Sequence, residues 1–277
     1  MELVYNIFSA LPFAWADYKF MVNALLAVVL IAPLMGILGT MAVNNKMAFF
    51  SDALGHSAFT GIALGVLLGI ENELVSLIAF GVFIALFITK VKNKGNTSSD
   101  TVISVFSSAS IAVGLLVLSY GGSFTKYSAY LVGDILSVTK SELLWLLVTL
   151  VAVVVIWCLI YNKLLIISVN KELAASRGIK TALYENIFVV VVAVVVMLSI
   201  KWVGILLINS LLILPAAASR NITKNSRQYL VGSVVISLAG SVAGLIASFY
   251  FDTSAGATIV SVLAAIFFVT YIVSKKK

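Results

Sequence analysis

Charge is what this chain has least of. Of 277 residues only 10 % are charged, against 62 % apolar, and the mean hydropathy is +1.14. A soluble domain carries about 25 % charged residues, so there is too little charge here to cover a water-facing surface. Cysteine is nearly absent: Cys158 stands alone, which excludes a disulfide framework. Histidine is reduced to His56 and proline to three residues. No G-x-x-x-x-G-K-[ST] phosphate loop and no G-x-S-x-G elbow occurs, so the chain has neither P-loop ATP chemistry nor a serine-hydrolase elbow of its own. One histidine and no paired intramembrane aspartates argue against a membrane protease.

What is present instead is long uncharged sequence. Runs of about twenty residues can cross roughly 30 Å of hydrocarbon as helices. They include 21–43, 47–70, 102–120 and 143–161. Residues 187–218 are too long for one crossing and read as two, 187–200 and 203–218, with Lys201-Trp202 at a membrane surface. The chain is therefore an all-α polytopic membrane protein. The total is put at about eight transmembrane helices, nine if residues 4–16 also insert.

The net charge of +7 reports orientation rather than nucleic-acid binding. Lys46, Lys90, Lys92, Lys94, Lys163, Lys171, Arg177, Lys180, Arg220, Lys224, Arg227 and residues 275–277 fall on one side of the alternating connections. Lys19, Lys126, Lys140 and Lys201 fall on the other, with Glu2, Asp17, Glu71, Glu73, Asp134, Glu142 and Asp252. By the positive-inside rule the basic side and the C-terminus are cytoplasmic. The first twenty residues lack a basic n-region and carry Glu2, so Ala14-Trp15-Ala16 is not taken as a signal-cleavage site. Residues 1–20 read as an outer interfacial segment, with Trp15 and phenylalanines at headgroup depth. Residues 21–274 form one transmembrane domain, with a cytoplasmic loop at 162–186 and a basic tail at 275–277.

The second run contains the oddest residues. Asp52 and His56 sit four apart, on one helical face. An intramembrane carboxylate costs about 2.5–3.5 kcal/mol on insertion scales, so it faces a bundle interior or a water path. Carboxylate oxygen with imidazole nitrogen suits zinc, manganese or iron(II). The plainer reading is a structural or proton-relay pair. Two ligands hold a metal weakly, which fits transit better than storage. Because imidazole ligates only when neutral, transport through such a pair should weaken as the pH falls.

Thr60 extends the polar stripe by a turn, while Ser107 in the serine-rich run 102–120 and Asn209 in the run 203–218 are candidate pathway-lining residues. Gly61, Gly65 and Gly69, and later Gly240 and Gly244, have the small-xxx-small spacing of close helix packing. In the basic loop, Asn170 reads as an N-cap and Gly178 as a C′ residue of a short helix. That helix is either a simple surface element or a docking knob for a cytoplasmic partner.

Four segments together resemble the metal-ion (zinc/manganese/iron) ABC importer permease family. They are Phe50-Ser51-Asp52-Ala53-Leu54-Gly55-His56-Ser57 through Gly61; Asn170-Lys171-Glu172-Leu173-Ala174 through Gly178; Val203-Gly204-Ile205-Leu206-Leu207 with Leu212-Ile213-Leu214-Pro215-Ala216-Ala217-Ala218; and Asp252-Thr253-Ser254-Ala255-Gly256-Ala257. They run in family order over about residues 20–274. The resemblance implies a bacterial inner-membrane permease that works as a homodimer among membrane lipids. A cytoplasmic ATPase subunit would hydrolyse ATP, and an extracellular binding protein would deliver the metal. No covalent cofactor and no catalytic residue are implied, so the chain itself is not an enzyme. Asp52 and His56 become the expected metal contacts, and Lys171, Glu172, Ala175, Arg177 and Gly178 the expected ATPase-coupling residues. Zinc is favoured by the general look of the second-run motif, although no histidine-rich loop supports it. The competing reading is a proton-coupled secondary metal transporter using the same Asp–His pair; a non-transporting subunit is a third.

Overall fold

The computed structural model describes residues 12–70, 72–94, 98–120 and 129–274, together with Tyr5 and Phe8. Among these residues the long helices are α1 (Lys19–Asn44), α2 (Phe50–Leu67), α3 (Glu73–Lys94), α4 (Ser99–Tyr120) and α5 (Lys140–Val169). A six-residue helix, α6 (Lys171–Ser176), precedes α7 (Thr181–Val203), α8 (Ile205–Ile222), α9 (Ser226–Phe251) and α10 (Ala255–Ser274). No strand occurs among the described residues. Seven helices are long and apolar enough to cross a membrane. The other two long ones are α2, whose apolarity is diluted by Asp52 and His56, and α8, whose apolar part is the shorter Leu207–Ile222.

Among the described residues, seven spans stand one below the sequence total of about eight, and α2 and α8 bring the helices of 18 residues or more to nine. The stretch 187–218 does count twice, but the break is at Gly204 rather than at Lys201-Trp202. Gly204 has φ +87°, a conformation that only glycine adopts without strain. Helix α7 thus runs through Lys201 and Trp202, burying Trp202 and leaving Lys201 exposed.

Helix α5 also passes its expected end at residue 161. Asn162-Lys163 looks like a stop, but the apolar residues 164–167 carry the helix on, and the Lys163 ammonium reaches the Tyr184 hydroxyl at 2.5 Å. At about 1.5 Å per residue the 30-residue helix is about 45 Å long. It exceeds the hydrocarbon thickness of about 30 Å, and residues 170–180 connect it to α7. Trp15 lies in a short 3-10 turn, Ala14–Asp17, and is buried and stacked on Phe13 with ring centroids 5.9 Å apart. Most of residues 1–11, as well as Glu71, Lys126 and the tail 275–277, lie outside the described residues.

The chain packs as two compact units. The first comprises Met1–Thr40, Gly133–Ala152 and Ser210–Lys277. In it α1 and α9 meet at Gly36, where a Cβ would lie 2.9 Å from the Val234 Cα. Ser233 and Ser237 of α9 donate to the carbonyls of Gly36 (2.8 Å) and Ala32 (2.7 Å), on either side of Pro33. Gly240 and Gly244 of α9 are filled by Leu263 and Ile259 of α10, the close packing their spacing predicts.

The second unit, Met41–Val132 and Val153–Asn209, is built around α2. Helices α3, α4 and α7 all pack on it. Small residues set the approach: Gly61 lies against Leu77 and Phe80 of α3, and Gly65 against Ser76. The Ser76 hydroxyl donates to the Gly61 carbonyl at 2.6 Å. Gly114 of α4 touches the backbone of Phe59 and Thr60, where a Cβ would come within 2.7 Å of the Thr60 nitrogen. Gly69, at φ +68° and with no neighbour, ends the helix instead of packing it. Hence α2, the helix carrying the unusual polar pair, is the one most closely held in its unit.

Candidate functional site

Helix α2 starts at Phe50, whose side chain is buried, and this places Asp52 in its first turn and His56 one turn on. Free backbone N–H groups at a helix start favour a carboxylate there. The His56 Nε2 and Asp52 Oδ2 atoms are 3.6 Å apart, with the two side chains 23 % and 40 % exposed. That distance is too long for a hydrogen bond. It is close to the edge of a tetrahedral metal site, about 3.4 Å for bonds of about 2.1 Å. The separation is within ion-pair range and leaves room for a shared ion. The His56 Nδ1 is buried and has no hydrogen-bond partner among the described residues. No group of three or more His, Cys, Asp or Glu side chains forms a metal cluster among the described residues. The pair could touch a divalent ion, but by itself it could not retain one.

The other sequence candidates divide. Asn209 accepts a hydrogen bond of 2.6 Å from the Ser51 hydroxyl, so its amide is fixed to the residue preceding Asp52. The adjoining Gly55 lets Ile205 and Ile208 of α8 close on the same side of α2. The Ser51–Asn209 bond thus ties α8 to the first turn of α2, beside Asp52. Thr60 is buried, and its hydroxyl donates to the Ser110 carbonyl of α4. It lies on the helical stripe its spacing predicts, but its polar group is used between helices. Ser107 is half-buried on α4. Sequence reasoning missed Ser51 as the partner of Asn209, although it lies inside the quoted segment.

A second polar constellation surrounds α6. Asn170 caps it, its Oδ1 accepting from the Leu173 N–H at 2.9 Å. Gly178, at φ +75°, closes the other end: its N–H donates to the Ala175 carbonyl (2.9 Å) and that of Ile179 to the Ala174 carbonyl (3.1 Å). Ala174 is fully buried and seats the helix, while Glu172, Leu173, Ala175 and Arg177 are exposed. The Lys171 ammonium donates to Glu185 of α7 (2.7 Å) and to the Asn93 Oδ1 of α3 (3.1 Å). Asn93 Nδ2 in turn donates to the same Glu185 oxygen at 2.9 Å. Asn93 and Glu185 were not foreseen, since they lie 92 residues apart in the chain.

The ABC 3 transport family matches residues 17–274, nearly the whole chain. The chain belongs to that family. It is 29 % identical to the manganese import system permease protein ScaB of Streptococcus gordonii over 94 % of each chain. It is 28 % identical to the high-affinity zinc uptake system membrane protein ZnuB of Haemophilus influenzae over 90 % of this chain and 96 % of ZnuB. Among solved structures, PsaBC from Streptococcus pneumoniae in complex with Fab superposes with a TM-score of 0.81. The identity is 26 %, over 98 % of this chain and 95 % of the other. Family membership confirms the resemblance found in the sequence: this is a permease of the metal-ion ABC importer family, a multi-pass all-α membrane protein.

Proposed function

We propose that the chain passes a divalent transition-metal ion, zinc or manganese, from an extracellular binding protein to the cytoplasm of a bacterium. It would work as a homodimer in the inner membrane, driven by ATP hydrolysis in a separate subunit. The observation that carries the reading is the Asp52–His56 pair. These are a carboxylate oxygen and an imidazole nitrogen on the best-packed helix, partly exposed and spaced for a shared ion. The ion gives up part of its hydration shell to these two donors and leaves readily because they are only two. An oxygen–nitrogen pair without thiolate accommodates both metals, and the relatives' names divide between manganese and zinc. The basic connections and the C-terminus face the cytoplasm in this reading, so α6, with its exposed Glu172, Leu173, Ala175 and Arg177, meets the ATPase there. ATP binding would move α6 and bias inward- and outward-facing states to which the ion binds unequally.

The test is uptake of radiolabelled zinc and manganese into proteoliposomes, with and without the co-purified ATPase and ATP. Uptake that requires both supports the proposal, and the better-transported ion names the cargo. Uptake by the chain alone under a pH gradient would replace it with a proton-coupled transporter.

A further inference from the structure

Lys171, Asn93 and Glu185 form a closed triangle in which each side chain is bonded to both others. They come from three elements: the first residue of α6, the last turn of α3 and the first turns of α7. An isolated surface ion pair contributes little to stability and would carry no mechanical meaning. This one differs in two respects. The Glu185 side chain is only 15 % exposed, and one of its oxygens accepts both an ammonium and an amide N–H. Lys92, the residue before Asn93, is in electrostatic reach of both Glu185 and Lys171, so two cations stand around one carboxylate. The bonds join elements that the short loop 177–180 alone would leave loosely connected.

What lies behind the triangle gives it a use. Helices α3 and α7 pack on each other, and both pack on α2. Gly81 of α3 lets Met197 of α7 approach closely, and Gly61 and Gly65 of α2 do the same for α3. A displacement of α6 is therefore passed, through Lys171, to the ends of the two helices that flank the helix of Asp52 and His56. Resting on the proposed function above, we propose that Glu185 and Asn93 are positioning residues. They clasp α6 to α3 and α7, so that movement of α6 at the ATPase moves these helices as one block and changes access to the Asp52–His56 pair.

The experiment uses the permease with its ATPase and binding protein in proteoliposomes and reads metal transported per ATP hydrolysed. Glu185→Gln keeps shape and hydrogen-bonding capacity but removes the charge. Coupling energies between sites correspond to about 5–150-fold, so the ratio should fall by about 5-fold or more while ATP hydrolysis continues. Asn93→Ala, a milder change that leaves the ion pair, should lower it less. Retained ATP hydrolysis in the assembled complex separates lost coupling from a general loss of folding. A wild-type ratio in both Glu185→Gln and Asn93→Ala would overturn the clasp while leaving the transport reading intact. Absence of ATP-driven uptake by the wild type would instead remove the reading on which the clasp rests.

Discussion

The two polar constellations in the second unit are assembled in opposite ways. Asp52 and His56 are four residues apart on one helix, their spacing set by the α-helical repeat before any tertiary contact forms. The pair is unfinished: the donor atoms are 3.6 Å apart, and the His56 Nδ1 is buried without a partner. Lys171, Asn93 and Glu185 come from three separate elements, and all three are mutually bonded. An intramembrane group that must receive and release a cargo has to keep coordination in reserve. A joint that must transmit movement has to spend its bonding capacity on its own members. The difference teaches where to look for function in this chain: at the incomplete constellation for the ion, and at the complete one for the force.

Perturbations should separate these roles, and the largest effect belongs to the incomplete pair. Even an outer partner of a metal ligand is worth about 10–100-fold, so Asp52→Asn with His56→Ala should reduce uptake by about 100-fold or more, measured as initial rate in proteoliposomes. Next comes the scaffold under the pair. Gly114→Ala would place a Cβ 2.7 Å from the Thr60 nitrogen, against backbone that has little room to move. Overpacking of this kind costs about 1–3 kcal/mol, seen as a lower melting temperature in detergent together with slower uptake.

Smaller effects sharpen the contrast further. Asn170→Ala removes the cap of α6 and should cost about 1 kcal/mol of local helix stability, read as faster amide exchange at 171–176 with ion binding unchanged. Thr60→Val deletes only the bond to the Ser110 carbonyl. Interhelical bonds of this kind average about 0.6 kcal/mol in membranes, so stability should drop slightly and uptake should stay near wild type. A large uptake defect in Thr60→Val would return Thr60 to the ion's path.

What was legible in the sequence follows from the range of the interactions. Apolar runs, the Asp52–His56 spacing, the Asn170 cap and the Gly178 stop are local, and each appears in the structure where its pattern places it. The full length of α5 was not legible: the run 143–161 marks an apolar stretch long enough to cross, whereas the helix continues to Val169, Lys163 reaching Tyr184 while the backbone stays helical. The burial of Trp15 was not legible either, because it depends on tertiary packing. Glu185 and Asn93 carried no signal at all: a polar residue near a helix end is ordinary until its distant partner is known.

The central claim is that Asp52 and His56 touch the transported ion whereas Thr60, on the same stripe, does not. It is tested most directly by comparing ATP-driven metal uptake of the wild type, the Asp52→Asn/His56→Ala variant and Thr60→Val in the same proteoliposome preparation with the partner ATPase. The account predicts near-complete loss in the double variant and near-normal uptake in Thr60→Val. Wild-type uptake in the double variant would contradict it.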